Sequence, residues 1–416
     1  MVIKLKGISV LITIIVDKVS LIFTEDYQKY NFGKNHPLRP LRLKLTYSLI
    51  EKLNLLEHER LETMEPRIAS QEEIERVHSP KYVDIVKKLS INPEDRSMQP
   101  YSYGLGPGDD GPGDNPIFEG MYDASALVCG ASITAANNVW NNKEFKIAFN
   151  PAGGLHHAMK EKASGFCIFN DIGVAIAYLK ELDKNIRIAY IDIDCHHGDG
   201  VQWLFYDDPN VLTISYHQDG RSLFPGTGSV NEIGEGEGKG FSINFPLIPG
   251  TNNKPFLNLF RKTVPKILET YAPDILITQL GVDTYFNDPL TQMGFSLSIY
   301  RDIAQTLKTS AREFCQNKWL AIGGGGYLMT VVPRAWTIFL ANMLDVELKN
   351  ELPDEWIKEV KQYVPNEDTP YLLWDRGDKV EVQYLSHPEL ALKIIEYTKS
   401  LIEISNEKYL PNLVKA

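Results

Sequence analysis

Short runs of β-branched and aromatic residues, apolar on both faces, alternate in this chain with longer segments of helical periodicity. The runs fall at Val19–Phe23, Lys146–Asn150, Arg187–Ile193, Val211–Tyr216, Asp274–Leu280 and Trp319–Ile322, and each is predicted to be a strand. Between several of them lie helical patterns at Leu41–Leu53, Tyr122–Trp140, Gly173–Leu182, Pro255–Thr270 and Ser298–Phe314. A strand with no polar face must be covered on both sides, and intervening helices supply both the cover and the crossover that parallel pairing needs. The pattern therefore predicts an α/β fold: three layers, α/β/α, around a mostly parallel central sheet. Residues 1–18 precede the pattern as an N-terminal extension, and 19–345 form the main domain. Residues 346–416, more charged and aromatic, are expected to be an appendage packed on that domain and ending in a helix over Pro388–Ile404.

The composition narrows the class. With 43 % hydrophobic side chains among 416 residues, the chain can bury a large core. Its 54 acidic and 43 basic residues leave a net charge of −11, which disfavours dedicated nucleic-acid binding. Cys129, Cys167, Cys195 and Cys315 are scattered without a CxxC pair, as in proteins of a reducing compartment. The apolar run Ile8–Val16 follows Lys4 and Lys6 in the manner of a secretory signal, but Asp17 and Lys18 close it and no small-x-small cleavage site follows. It is also too short to cross ~30 Å of hydrocarbon. An extra strand or a loose extension is expected there, with no membrane attachment, in a cytoplasmic protein. Two stretches rich in glycine and proline, Gly104–Pro116 and Gly226–Gly240, read as long surface loops rather than helix or strand.

Ligands of open parallel sheets bind beyond the carboxyl ends of the strands, so the residues that follow each strand carry the functional argument. Lys146–Asn150 leads into Pro-Ala-Gly-Gly-Leu-His156-His157. Arg187–Ile191 leads into Asp192-Ile-Asp194-Cys-His196-His197-Gly-Asp199. Asp274–Leu280 leads into Gly-Val-Asp283, and Trp319–Ile322 into four glycines and Tyr327. Asp192, Asp194 and His196 at i, i+2 and i+4 would share one face of an extended chain. Carboxylate with imidazole is a ligand set for Zn²⁺ or Fe²⁺, and Asp283 would be the third protein ligand, from another strand. Three protein ligands leave open positions, the mark of a catalytic metal. His156 and His157, being adjacent, are expected to diverge rather than chelate one ion. They suit general base and general acid duty, with Asp192 and Asp199 as orienting carboxylates. Tyr327 could donate to a substrate oxygen and stabilise an oxyanion.

Together these residues resemble the histone deacetylase superfamily, which includes acetoin-utilisation deacetylases and acetylpolyamine amidohydrolases on an arginase/deacetylase-like fold. The resemblance runs through NHPLRPLRL (Asn35–Leu43), VHSPKYV (Val77–Val83), GGLHHA (Gly153–Ala158), SGFCIFND (Ser164–Asp171), DIDCHHGDGV (Asp192–Val201), FPGTG (Phe224–Gly228), LGVDTYFNDPL (Leu280–Leu290) and GGGGY (Gly323–Tyr327). It makes residues 19–345 a deacetylase catalytic domain. It implies Asp194, His196 and Asp283 as ligands of a zinc ion, His156 and His157 with Asp192 and Asp199 as the acid–base machinery, and Tyr327 as the residue that polarises the acetyl carbonyl. Gly165, Phe166 and Phe224 resemble the walls of the channel that holds an acyl-lysine stem, and Arg42 the arginine of an inner acetate channel. Leu290 stands at a rim position where polyamine-selecting relatives carry an acidic gatekeeper. A structural K⁺ bound near Asp192, Asp194, His196, Ser215 and Tyr216 is also implied. The acidic loop residues Asp109, Asp110 and Asp114 include the counterpart of a rim aspartate that holds the substrate backbone, and spacing favours Asp114. The expected reaction is metal-assisted hydrolysis of acetyl-lysine in an acetylated protein, with an acetylpolyamine or other small amide as the alternative substrate.

Overall fold

The structure, a computed structural model, describes residues 2–5, 8–11, 17–108, 111–375 and 387–414. Strands β1 (Val2–Leu5) and β2 (Ile8–Leu11) pair antiparallel in a sheet of their own, so part of the N-terminal apolar run is a strand. The rest of that run, 12–16, lies outside the described residues. Among the described residues no helix is long and apolar enough to cross a membrane.

The central sheet has eight strands. They are β3 (Lys18–Ile22), β4 (Leu61–Met64), β7 (Phe145–Asn150), β8 (Ile188–Asp192), β9 (Val211–Gln218), β10 (Ser242–Leu247), β11 (Ile275–Gln279) and β12 (Trp319–Ile322). Their order is β10-β9-β8-β11-β12-β7-β3-β4, and every pairing is parallel. Interior strands such as β8, β9, β11 and β12 are buried along their whole length, as strands covered on both faces must be. Helices Met121–Asn141 and Asp171–Leu182 pack together in one covering layer, and Leu41–Lys52, Val332–Met343, Ser298–Phe314 and Asn253–Tyr271 pack in a row in the other.

Both edge strands escape the sequence pattern, for different reasons. In β4, Leu-Glu-Thr-Met mixes polar and apolar residues because only part of an edge strand is covered. In β10, Pro246 interrupts the run, and a residue without an N–H is tolerated only where no neighbour waits for its bond. The loop expected over Gly104–Pro116 is also corrected: it holds an antiparallel hairpin, β5 (Gly106–Gly108) with β6 (Gly111–Asn115). A ribbon with no further sheet partner loses few ladder bonds to glycine and proline, which is why breaker-rich sequence can form it. Asp109 and Asp110 lie outside the described residues.

Beyond Leu344 the chain returns to the main body. Trp356, on the helix Asp354–Tyr363, is fully buried and donates its indole N–H to the Leu45 carbonyl at 2.9 Å. The helix Pro388–Ile404 packs on Asn253–Tyr271, and Tyr409 donates to the Asn244 carbonyl at 2.9 Å. For function the decisive feature is the strand order. β8, β11, β12 and β7 are consecutive neighbours at the centre of the sheet. In a parallel sheet their carboxyl ends lie along one edge, so the four polar sequences after them converge on one place.

Candidate active site

At that edge β8 stops at Asp192. The extended geometry expected for Asp192, Asp194 and His196 does not continue: the Asp194 N–H turns back to Asp192 Oδ1 at 3.0 Å, and the His196 N–H to Asp194 Oδ1 at 3.0 Å. These side-chain-to-backbone turns bend the chain. Asp192 is thereby separated from the other two, and Asp194 and His196 are aimed at Asp283.

Ligating atoms of Asp194, His196 and Asp283 lie within 4.8 Å of one another. His196 Nδ1 is 3.1 Å from Asp194 Oδ1 and 2.9 Å from Asp283 Oδ2. The remaining oxygen of each carboxylate is tied down: Asp194 Oδ2 accepts from the Gln279 amide and the Gly325 N–H, both at 2.7 Å, and Asp283 Oδ1 accepts from the Cys195 N–H at 2.7 Å. One oxygen per carboxylate is thus left to face the imidazole. Two carboxylates this deeply buried, at 1 % and 0 % exposure, require a neighbouring positive charge. Burial opposes charge on His196, yet the carboxylates hold its pKa up at about 10. The pocket therefore favours a cation by its own electrostatics. One imidazole nitrogen and two carboxylate oxygens, each carboxylate steadied through its other oxygen, suit a divalent ion such as Zn²⁺ or Fe²⁺.

His156 and His157 do not diverge, contrary to expectation. They sit in an irregular turn rather than a strand, so the alternation of a pleat does not apply, and their Nε2 atoms approach to 3.0 Å. His156 Nδ1 donates to Asp192 Oδ2 at 2.7 Å, and His157 Nδ1 to Asp199 Oδ1 at 2.6 Å. Tyr190 also donates to Asp192 Oδ2, at 2.5 Å. The surroundings split the pair. For His156, burial works against charge, but Asp192 and Asp194 outweigh it and raise its pKa to about 9. For His157, burial and then the neighbouring His156 charge lower it to about 4, beyond what Asp199 recovers. At neutral pH the pair carries one proton beyond its two Nδ1–H groups, held mostly on His156, and His157 is neutral. Two titratable groups pushed apart in this way form an acid and a base.

Gly165 and Phe166 both have positive φ, +51° and +69°. A Cβ on Gly165 would lie 2.4 Å from His157 Cδ2, so only glycine lets this segment run beside the imidazole. The Phe224 ring sits edge-on to His157 at 5.0 Å and is partly open to solvent, and the Phe166 ring sits edge-on to Tyr327 at 5.8 Å. The two rings therefore flank the cluster, one over the histidines and one over the tyrosine. Burial, followed by the charges of Asp283, Asp194 and Asp288, pushes the Tyr327 phenol well above its ordinary pKa. It stays protonated and can donate.

Arg42 is buried beneath the glycine loop. Its Nη1 donates to the Gly324 carbonyl at 2.6 Å and the Gly326 carbonyl at 3.2 Å, and its guanidinium lies 5.1 Å from the Trp336 ring. A cavity of about 20 Å³ adjoins it, bordered also by Tyr27, Tyr30, Leu38 and Leu155. Asp114, on β6, is exposed, and its backbone carbonyl meets His36 Nε2 at 3.2 Å. His36 in turn packs against the Phe166 ring at 4.5 Å. Leu290 is half-buried and donates its N–H to Asp288 Oδ1 at 3.0 Å. Ser215 pairs with Asp192 across β8 and β9, while the Tyr216 hydroxyl turns to Thr263 at 2.7 Å.

Several supporting residues went unassigned in the sequence. Gln279 orients Asp194 and was visible as a lone amide in an apolar strand. Asp171 accepts from the Leu155 N–H at 2.8 Å, the Gly154 N–H and the Ser132 hydroxyl, and so fixes the turn before the two histidines. Tyr190 and Asp288 carried no distinguishing signal. Burial and then the Asp283 charge push Asp288 up, opposed by the Leu290 and Tyr327 N–H groups, which it accepts from and which favour its ionised form.

Comparison with known proteins identifies the family. Residues 36–343 match the family model of the histone deacetylase domain. Acetoin utilization protein AcuC of Bacillus subtilis strain 168 is 41 % identical over 345 residues, which cover 83 % of this chain and 87 % of that protein. Histone deacetylase 9 of Arabidopsis thaliana is 40 % identical over 346 residues, 82 % of this chain and 77 % of the plant protein. Among solved structures, a crystal structure of an HDAC homologue complexed with SAHA superposes with a TM-score of 0.80 at 30 % identity, covering 94 % of this chain and all of that one. An HDAC homologue from Aquifex aeolicus gives 0.77 at the same identity and coverage.

Proposed function

This chain belongs to the histone deacetylase family, and from that premise we propose that it is a zinc-dependent lysine deacetylase that hydrolyses the acetyl amide of acetyl-lysine in proteins. The observation that carries the reading is the convergence of two His–Asp pairs, His156–Asp192 and His157–Asp199, on a buried Asp194–His196–Asp283 cluster. Asp194, His196 and Asp283 would hold the ion, with Fe²⁺ as the alternative to Zn²⁺. When bound, such an ion supplies the Lewis acidity that activates a water and polarises the amide carbonyl.

The chain's own residues do the rest. His157, neutral and oriented by Asp199, accepts the proton of the attacking water. His156, charged and oriented by Asp192, protonates the departing amine. Tyr327 donates its phenolic proton in a hydrogen bond to the oxyanion as the carbonyl carbon becomes tetrahedral. Phe166 and Phe224 grip the methylenes of the lysine stem and keep bulk water from the reacting carbon. Arg42, beside a small cavity, supplies positive charge for the acetate product. Asp114, at the mouth, accepts from a backbone N–H of the bound peptide.

Leu290 offers no charge to a polyammonium chain, which favours acetyl-lysine over an acetylpolyamine. The four unpaired buried thiols fit a cytoplasmic enzyme. A K⁺ ion beside Asp192, Asp194, His196, Ser215 and Tyr216 would serve a structural role. Turnover of an acetyl-lysine peptide and of acetylspermidine by the same preparation, with its metal content measured, tests the proposal. The peptide should be the better substrate, and exclusive turnover of acetylspermidine would replace the substrate assignment.

A further inference from the structure

Tyr327 follows four glycines, two of which, Gly324 and Gly326, have φ of +156° and +129°. Such a segment has little conformational preference of its own, so external ties must fix the phenol. Arg42 holds the carbonyls of Gly324 and Gly326, the Gly325 N–H is bound to Asp194, and the Gly325 carbonyl accepts from the Val282 N–H at 2.9 Å. These ties end at Gly326. The N–H of Tyr327 itself goes to Asp288 Oδ2, at 3.0 Å. The other Asp288 oxygen, Oδ1, accepts from the Leu290 N–H, also at 3.0 Å.

Asp288 is a buried side chain between two loops distant in sequence. Its own loop is closed on the proposed metal ligand, because the Thr291 hydroxyl donates to the Asp283 carbonyl. One carboxylate thus joins the loop at Leu290 to the segment that carries the proposed oxyanion donor, Tyr327. We propose that Asp288 is a positioning residue that holds Tyr327 in donor geometry and couples it to the Leu290 loop. This inference rests on the deacetylase reading given above for Tyr327.

Two N–H donors on opposite oxygens need two acceptors, which a carboxylate has and an amide lacks. In an Asp288→Asn variant the amide NH₂ must face one of the two N–H groups, and the loop carrying that group shifts. A displacement of about 1 Å at a reacting group is enough to cost up to about 100-fold in rate.

The test is a cycle of Asp288→Asn, Tyr327→Phe and the double variant, each assayed for kcat and KM on an acetyl-lysine peptide, with metal content and thermal midpoint measured alongside. Asp288→Asn should lower kcat by about 10- to 100-fold at unchanged metal content, and the double variant should be no slower than Tyr327→Phe alone. A purely structural role would reduce kcat by the same factor in both backgrounds, and that result overturns the proposal, as does undiminished kcat in Asp288→Asn. If Tyr327→Phe keeps full turnover while Asp288→Asn is impaired, the role given to Tyr327 fails, and with it any action of Asp288 through that residue. If Tyr327→Phe alone is impaired, only the positioning role is lost. Should the Asn variant not fold, Asp288→Glu, which keeps both oxygens but displaces them by one methylene, is read in the same cycle with the same expectations.

Discussion

Substituting Gly165 by alanine isolates the contribution of the base's position from that of its chemistry. The added Cβ would stand 2.4 Å from His157 Cδ2, 2.8 Å from its Cγ and 3.0 Å from Phe224 Cε1. Restoring ordinary contact at about 3.4 Å requires the imidazole to retreat by roughly 1 Å, a shift of the size that costs up to about 100-fold in rate. His157 cannot move that far without leaving Asp199, 2.6 Å from its Nδ1, or His156, 3.0 Å from its Nε2. The backbone adds its own penalty, since φ of +51° costs an L-residue on the order of 1–2 kcal/mol. Gly120 separates the two effects: its φ is +77°, but a Cβ there meets nothing within 4 Å. Gly120→Ala should lower stability by about 1–2 kcal/mol and leave turnover alone. Gly165→Ala should lose at least as much stability and also lower kcat/KM by about 10- to 100-fold, or about 1.4–2.7 kcal/mol of transition-state stabilisation. Steady-state kinetics on an acetyl-lysine peptide with parallel urea melts make the comparison. If Gly165→Ala turned over within threefold of Gly120→Ala, the placement of His157 would not depend on this contact, and the reasoning would be refuted.

Chelation should abolish turnover and lower the thermal midpoint, because a ligand held at about 1,000 times its Kd contributes about 4 kcal/mol to the folded state. Zn²⁺ or Fe²⁺ should restore both, and Asp194→Asn should erase the response of the midpoint to either ion. His78, buried between the Met159 carbonyl and the Asn170 N–H, both at 2.9 Å, is lowered by burial to about 4. Its unfolded value is near 6.5, so between those pH values only the unfolded chain takes up the proton. The contribution is complete above pH 6.5 and is lost as pH falls towards 4, on the order of 3 kcal/mol in all. Melts at pH 7 and pH 4.5 should show a smaller acid loss in His78→Asn than in the parent chain, and equal losses would refute the assignment.

The strands at the centre of the sheet were legible because their burial is complete. A strand covered on both faces has few positions free to vary in polarity, so β8, β11 and β12 announce themselves as largely apolar runs, with polar residues only towards the carboxyl ends of β8 and β11. The same rule makes their ends readable, since the first charged residues after such runs, Asp192 and Asp283, must lie at the sheet's carboxyl edge. At the margins the rule lapses. β4 is only partly covered and β10 has no partner beyond it, so their sequences answer to local contacts rather than to a period of two.

The orientation of the two histidines was hidden for a related reason. Periodicity fixes where side chains point only inside a regular element, and the segment from Pro151 to Ala158 is a turn. There the direction of each ring is set by carboxylates from elsewhere in the chain, Asp192 and Asp199, and by the missing Cβ of Gly165. Spacing along the sequence could name the groups that meet in the site. Which of the two imidazoles carries the proton follows from the charges around them, and those become visible only once strands distant in the chain stand side by side.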